Sequence, residues 1–289
     1  MARAFNYGIC YGPAFPSDKY CKDWFTTDYR CQWASAPSCR GDLADIRSLG
    51  FRHVRGYYWD PEADHSQFLI EAQKIGVGVE VPIHNGLIKT RDANGIAKLV
   101  KSTKNYSAVR MYTIGNEMPI EDIPDIVWAI TFVRTLNVLQ PISHTTIYDD
   151  GYATAKAVIS ALNGNLRNYI PSVNYYFYSN PSYMTGDCLY NSIKNWYNDP
   201  LTKNIPLYVG EFGWYGNTAV SADAITNFLK GIIRAKKDFR LLWGASLFEF
   251  SNEAWKGSTN GENNYGLITD RGIKKPTFFA VQSYATKMV

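Results

Sequence analysis

Strand-like and helix-like segments alternate along the whole chain, and this alternation is the strongest constraint on its fold. Eight apolar, β-branched or aromatic runs read as strands: Phe5–Tyr11, Phe51–Tyr58, Val77–His84, Val109–Glu117, Ser143–Tyr148, Ile170–Tyr176, Ile205–Phe212 and Leu241–Phe250. Their ends fall near Tyr11, Tyr57, His84, Glu117, Tyr148, Tyr176, Glu211 and Glu249. That spacing is close to the ~30 residues of one βα repeat, and a closed ring of eight repeats needs ~250 residues. The 289-residue chain therefore predicts a single (β/α)8 TIM barrel spanning residues 1–289. The first repeat is longer than the others. Its excess, about residues 13–40, is an expected insertion after the first strand, on the face where barrels build their active sites.

Helical stripes fill the gaps. Ser66–Ile75 places Phe68, Leu69, Ala72 and Ile75 on one face, with Gly76 as a C-cap. Ser221–Ile233 carries Ala224, Ile225, Phe228 and Ile232, with Ser221 expected as its N-cap. Asp42–Leu49 stops at Gly50, and Pro276–Met288 forms the last helix with proline near its start.

Two glutamates stand at the C-terminal ends of strand-like runs. Glu117 closes Ile114-Gly115-Asn116-Glu117, and Glu211 sits in Val209-Gly210-Glu211-Phe212-Gly213-Trp214. A carboxylate at the end of an apolar run is costly unless it is hydrogen-bonded or has a chemical task. In the barrel they come from the fourth and seventh strands and face one another across the mouth. Paired carboxyls in that setting suit glycoside cleavage, with one neutral acid and one ionised nucleophile. Asn116 is placed to bond a sugar hydroxyl. Tyr176, at the end of the sixth strand, is placed to donate to Glu211. Tyr148, Tyr178 and Trp255 are candidate sugar platforms, and Glu249, Glu253 and Lys256 follow the eighth strand beside Trp255. The structural alternatives are a helix cap or ion pair for Glu117, a bulged strand with a buried salt bridge at Glu211, and core packing for the aromatics.

Other chemistry finds little support. The four histidines are scattered without ligand spacing, so neither metal nor cofactor is expected. No G-x-S-x-G elbow or G-x-G-x-x-G fingerprint is present. The net charge of +4 is spread without a basic stripe, which argues against a nucleic-acid partner. No run approaches the ~18 apolar residues of a membrane span. Five cysteines, three of them close together at Cys21, Cys31 and Cys39, are compatible with one or two disulfides if the protein is secreted.

These residues resemble glycoside hydrolase family 17, the β-1,3-glucanases and β-1,3-glucan transglycosylases. The resemblance runs from Asn6-Tyr7-Gly8 to Lys275-Pro276 and is most specific at Ile114–Glu117, Val209–Trp214, Phe248–Lys256 and Glu262–Leu267. It implies a retaining mechanism on β-1,3-glucan, with Glu117 as acid/base and Glu211 as nucleophile. It also matches Tyr176 to the tyrosine of the family's Asn-x-Tyr-Pro motif, although Phe177 replaces the proline here. Tyr57 matches a tyrosine near the donor-side sugar, and Glu253, Lys256 and Glu262 match a charged cluster at the cleft edge. The short chain is similar to compact fungal members, so transfer to a second glucan chain is expected, with hydrolysis by water as the alternative. A monomer in the secreted or cell-wall compartment is the corresponding expectation. The rival readings are a catalytically silent glucan-binding barrel and a barrel hydrolase of β-1,4 or mannosyl chains.

Overall fold

The computed structural model describes residues 5–15, 17–18, 22–149, 151–176, 186–216, 218–257 and 261–287. Eight parallel strands close into a barrel in sequence order: β1 (Asn6–Cys10), β2 (His53–Arg55), β3 (Gly78–Ile83), β4 (Val109–Asn116), β5 (Ile142–Ile147), β6 (Tyr169–Tyr175), β7 (Leu207–Phe212) and β8 (Leu242–Leu247). Each sequence-predicted strand is present, with its ends shifted by up to a few residues. β2 loses most, because Gly56 and the residues after it leave the ladder at the barrel mouth.

Outward strand residues such as Val54, Val79, Val81 and Ile114 are fully buried beneath the surrounding helices. The main covers are α2 (Asp42–Ser48), α3 (Ser66–Ile75), α5 (Ala93–Thr103), α6 (Ile123–Thr135), α7 (Ala153–Ala161), α8 (Gly186–Asn198), α9 (Ala219–Asp238) and α10 (Pro276–Gln282). Short helices α1 (Arg30–Trp33) and α4 (Asn85–Lys89) lie in the loops after β1 and β3. Gly76 ends α3 in the left-handed region, φ 77°, as its C-cap position requires. The cap of α9 is Thr218, not Ser221. Thr218 Oγ1 accepts the Ser221 N–H, and the helix starts one turn earlier than the apolar stripe suggests because Ala219 and Val220 lie outside that stripe. The last helix ends at Gln282 and continues only as a 3-10 turn, Ala285–Lys287.

The barrel interior is polar. Tyr208 on β7 lies 2.9 Å from His53 Nε2 of β2, donates to Glu80 Oε2 of β3 at 3.0 Å, and contacts Ser246 Oγ of β8 at 2.5 Å. Gly8 on β1 fits this layer because a side chain there would strike Ser246 and His53. The segment after β1 is a packed cover. Phe25 and Trp33 stack edge-on against Phe68 of α3, and Trp24 lies 6.0 Å from the Trp255 ring. Cys21 and Tyr178 lie outside the described residues.

Helices α8 and α9 approach closely at two glycines. A Cβ on Gly231 would collide with the Gly186 carbonyl oxygen, which is backbone and cannot swing aside. Gly231→Ala is therefore expected to cost about 2 kcal/mol in urea denaturation despite its better helix propensity.

Candidate active site

The site begins with a charge inside the barrel. Arg55, the last residue of β2, has a side chain only 1% exposed. Its guanidinium reaches four other strands. Nε donates to Glu80 Oε1 at 3.1 Å, Nη1 to Glu211 Oε1 at 2.5 Å, and Nη2 to Asn116 Oδ1 at 2.8 Å and Thr145 Oγ1 at 3.3 Å. Burial works against the charge, but Tyr57, Glu211 and Glu80 together outweigh it and hold the group protonated. Glu80 is also buried, yet hydrogen bonding from His53 and the charge of Arg55 bring it below the usual carboxylate range. Thr113 donates to the same carboxylate.

Glu211 is 4% exposed and is surrounded by donors. Oε1 accepts from Arg55 and, at 3.0 Å, from the Tyr57 hydroxyl, while Oε2 accepts from the Tyr176 hydroxyl. Burial and the nearby carboxylate raise the proton affinity of both phenols, so they remain donors. The strand is irregular here: the β7 pairings shift on both sides of Gly210–Glu211. Gly210 is required because a Cβ would meet Ser172 and Asn174. The bulge and buried ion pair expected of a structural glutamate are thus present, and they carry the carboxylate to the barrel mouth.

Glu117 has different surroundings. It follows β4 in the left-handed region, φ 53°, an uncommon conformation for a side-chain-bearing residue. Its N–H donates to Thr145 O at 2.9 Å, and the preceding peptide is clamped by Asn85. Asn85 Oδ1 accepts the Asn116 N–H at 2.8 Å, and its Nδ2 donates to Asn116 O at 3.0 Å. Among the described residues the Glu117 carboxyl accepts one side-chain hydrogen bond, from Asn174 Nδ2 at 2.7 Å. Burial first, and then the charge of Glu211, raise its pKa above the ordinary carboxylate value. Asn174 is also the β6 partner of Glu211 in the sheet register, so one amide residue connects the two carboxyl environments.

The segment after β8 adds a second buried group. Glu249 and Glu253 are 1% and 2% exposed, and Lys256 Nζ lies 2.5 Å from Glu253 and 3.7 Å from Glu249. Burial and the adjacent Glu253 push the Glu249 carboxyl well up, and the two carboxyls together keep Lys256 charged against its burial. Trp255 packs at the edge of this cluster. Tyr148 leans on Tyr175 at 5.1 Å and Tyr152 at 5.2 Å, so much of its ring is core packing. A small recess beside Asn116 is lined by Arg55, Tyr57, His84 and Asn85.

The structure therefore brings Glu117, Glu211, Asn116, Tyr57 and Tyr176 to one place, with Glu249, Glu253, Trp255 and Lys256 after β8. Arg55, Asn174 and Asn85 are central to the geometry but were not singled out from sequence as site residues. Arg55 carried a readable signal: it sits two residues before Tyr57 in the strand-like run Phe51–Tyr58, a spacing that places both on one face. The Asn85 clamp depends on contacts across strands and has no local signature. Among the described residues no group of His, Cys, Asp and Glu could hold a metal ion, and no helix is long and apolar enough to cross a membrane.

No family model matches the sequence, and no curated protein matches it. Similar solved structures include glycoside hydrolases. A GH2 β-galacturonidase from Eisenbergiella tayi aligns with TM-score 0.70 and 16% identity over 96% of this chain and 50% of that one, so the chain spans about half its length. A family 39 glycoside hydrolase from Bacteroides cellulosilyticus aligns with TM-score 0.66 and 17% identity over 99% and 64%. A plant β-glucan endohydrolase aligns with TM-score 0.69 and 17% identity over 93% of this chain and 98% of its own. At these identities the likeness establishes the (β/α)8 fold.

Arg55→Met removes the only cation bonded to both Glu80 and Glu211 among the described contacts. The expected cost is about 3–5 kcal/mol in urea denaturation at neutral pH. The Glu80 pKa is lowered in the folded protein, so its stabilisation is present above the unfolded carboxylate value and is lost as pH falls through the folded one. The gap between wild type and Arg55→Met should therefore narrow in acid.

Proposed function

We propose that this protein is a retaining glycosidase of β-1,3-glucan that passes the cleaved glycosyl unit to a second glucan chain. The observation that carries the reading is the unequal treatment of the two carboxyls. Glu211 receives three donors, one of them a guanidinium, while Glu117 receives one amide and is driven toward its neutral form. One acid and one base in adjacent environments is the division of labour that glycoside cleavage needs.

In this mechanism Glu211 attacks the anomeric carbon as Glu117 gives its proton to the departing glycosidic oxygen. A covalent glycosyl-enzyme forms, and the shortened glucan leaves. Glu117, now ionised, takes a proton from the acceptor hydroxyl, whose oxygen displaces Glu211 from the anomeric carbon. The configuration is inverted twice and so retained. Retaining enzymes hold the two carboxyls about 5–5.5 Å apart, and the Asn174 link supports a short separation. Asn116 is fixed by Arg55 at one side and is available to the sugar at the other. Trp255 supplies an aromatic wall for further sugar units, backed by the buried cluster of Glu249, Glu253 and Lys256. Tyr178 belongs to the same proposed set of platforms.

The β-1,3 linkage is supported by the family 17 resemblance of Ile114–Glu117, Val209–Trp214 and the segment after β8. The plant β-glucan endohydrolase aligned over nearly its full length supports a β-glucan substrate and favours the second reading, in which water is the acceptor.

Incubation with linear β-1,3-gluco-oligosaccharides separates the two. Transfer gives products longer than the input, whereas hydrolysis gives only shorter ones at every substrate concentration. No turnover by the wild-type protein would remove both readings for this substrate. The acid/base role makes a second prediction. Glu117→Ala, given an aryl β-glucoside with a good leaving group and azide, should release the β-glucosyl azide, because azide needs no general base. A third concerns pH. Asn174 favours the Glu117 carboxylate, so Asn174→Ala should move the alkaline limb of kcat/KM to higher pH and also lower kcat.

A further inference from the structure

We propose that Cys31 and Cys39 form a disulfide that closes the insertion after β1. The chain leaves α1 at Trp33, turns where the Cys39 N–H donates to Ala36 O at 2.9 Å, and returns alongside its start. There the Arg40 N–H donates to Cys31 O at 2.7 Å. This backbone path alone brings residues 31 and 39 together. The two sulfurs stand 2.7 Å apart, closer than a thiol hydrogen bond needs, and Cys31 is exposed, so a soluble oxidant can reach it. The other described cysteines have no such partner: Cys10 is buried against Gly210 O, and Cys188 lies on α8.

The position gives the bond a purpose. Arg40, next to Cys39, grips Asp42 with two hydrogen bonds of 2.7 and 2.6 Å and donates to Asp270 O at 3.0 Å. Tyr11, just after β1, donates to Asp42 at 2.9 Å. The disulfide therefore fastens α1 to the residues that tie the end of β1, the start of α2 and the segment before α10. The insertion it closes also carries Trp24, which packs against Trp255, and Phe25 and Trp33, which pack on α3.

The chemistry needs a disulfide oxidant, for which oxidised glutathione serves. One cysteine thiolate attacks it, forming a mixed disulfide and releasing one glutathione. The other thiolate then displaces the second glutathione. Two protein thiols lose two protons and two electrons, and one oxidised glutathione becomes two reduced molecules.

The test is peptide mapping of the full chain after oxidised glutathione treatment, with remaining thiols alkylated. A tryptic peptide Cys31–Arg40 that is 2 Da lighter than its dithiol form and carries no alkyl group is expected. Reductant should lower the Tm of the oxidised protein by on the order of 5 °C, and should not change that of Cys31→Ser/Cys39→Ser. Alkylation of both thiols after oxidation, glutathione adducts without a cross-link, or linkage of either residue to Cys21 would overturn the proposal.

Discussion

A guanidinium enclosed in a protein interior must find counter-charge and fill its donors, or the surrounding structure cannot hold it. Arg55 meets that demand with two carboxylates, Glu80 behind it and Glu211 in front. Much of the site follows from this requirement. The polar interior layer of Tyr208, His53, Ser246 and Thr113 orders Glu80. Glu80 fixes the guanidinium, which then sets the positions of Glu211 and Asn116. The lower barrel is a scaffold for one cation, and that cation is a scaffold for the mouth.

The two glutamates differ in their contact with this cation. Glu211 is bonded to it directly. Among the described residues Glu117 takes its side-chain hydrogen bond from Asn174, and burial, then the negative charge of Glu211, work against the field of Arg55. Two chemically identical side chains are thereby given different partners: a guanidinium and two phenols for Glu211, an amide for Glu117. The left-handed backbone at Glu117 and the Asn85 clamp beneath it are the local conditions for that geometry, since an unconstrained chain would relax from the uncommon conformation.

The barrel was legible because its signal is repeated. Eight apolar runs near one spacing, each followed by a helical stripe, leave few alternatives, and small errors at strand ends do not alter the count. The glutamate pair was legible for the related reason that strand ends map to the barrel mouth. What the sequence concealed depends on cross-strand contacts. Arg55 and Glu80 are 25 residues apart, and Arg55 and Glu211 are 156 apart, with nothing local to pair them. Ser221 shows the same limit on a smaller scale. It has the composition of a cap, but Thr218 holds the extended backbone that capping requires. Glu249 and Glu253 read as rim charges and are instead enclosed, because the chain after β8 folds inward over them.

The most direct measurement is mechanistic labelling of the proposed nucleophile. An activated 2-deoxy-2-fluoro-β-glucoside slows both displacement steps and allows a retaining enzyme to accumulate its covalent intermediate. The account predicts stoichiometric inactivation and a fluoroglucosyl ester on the peptide carrying Glu211, with protection by β-1,3-gluco-oligosaccharides. A label on Glu117, Glu249 or Glu253, or turnover of natural substrate with inverted anomeric configuration, would contradict it.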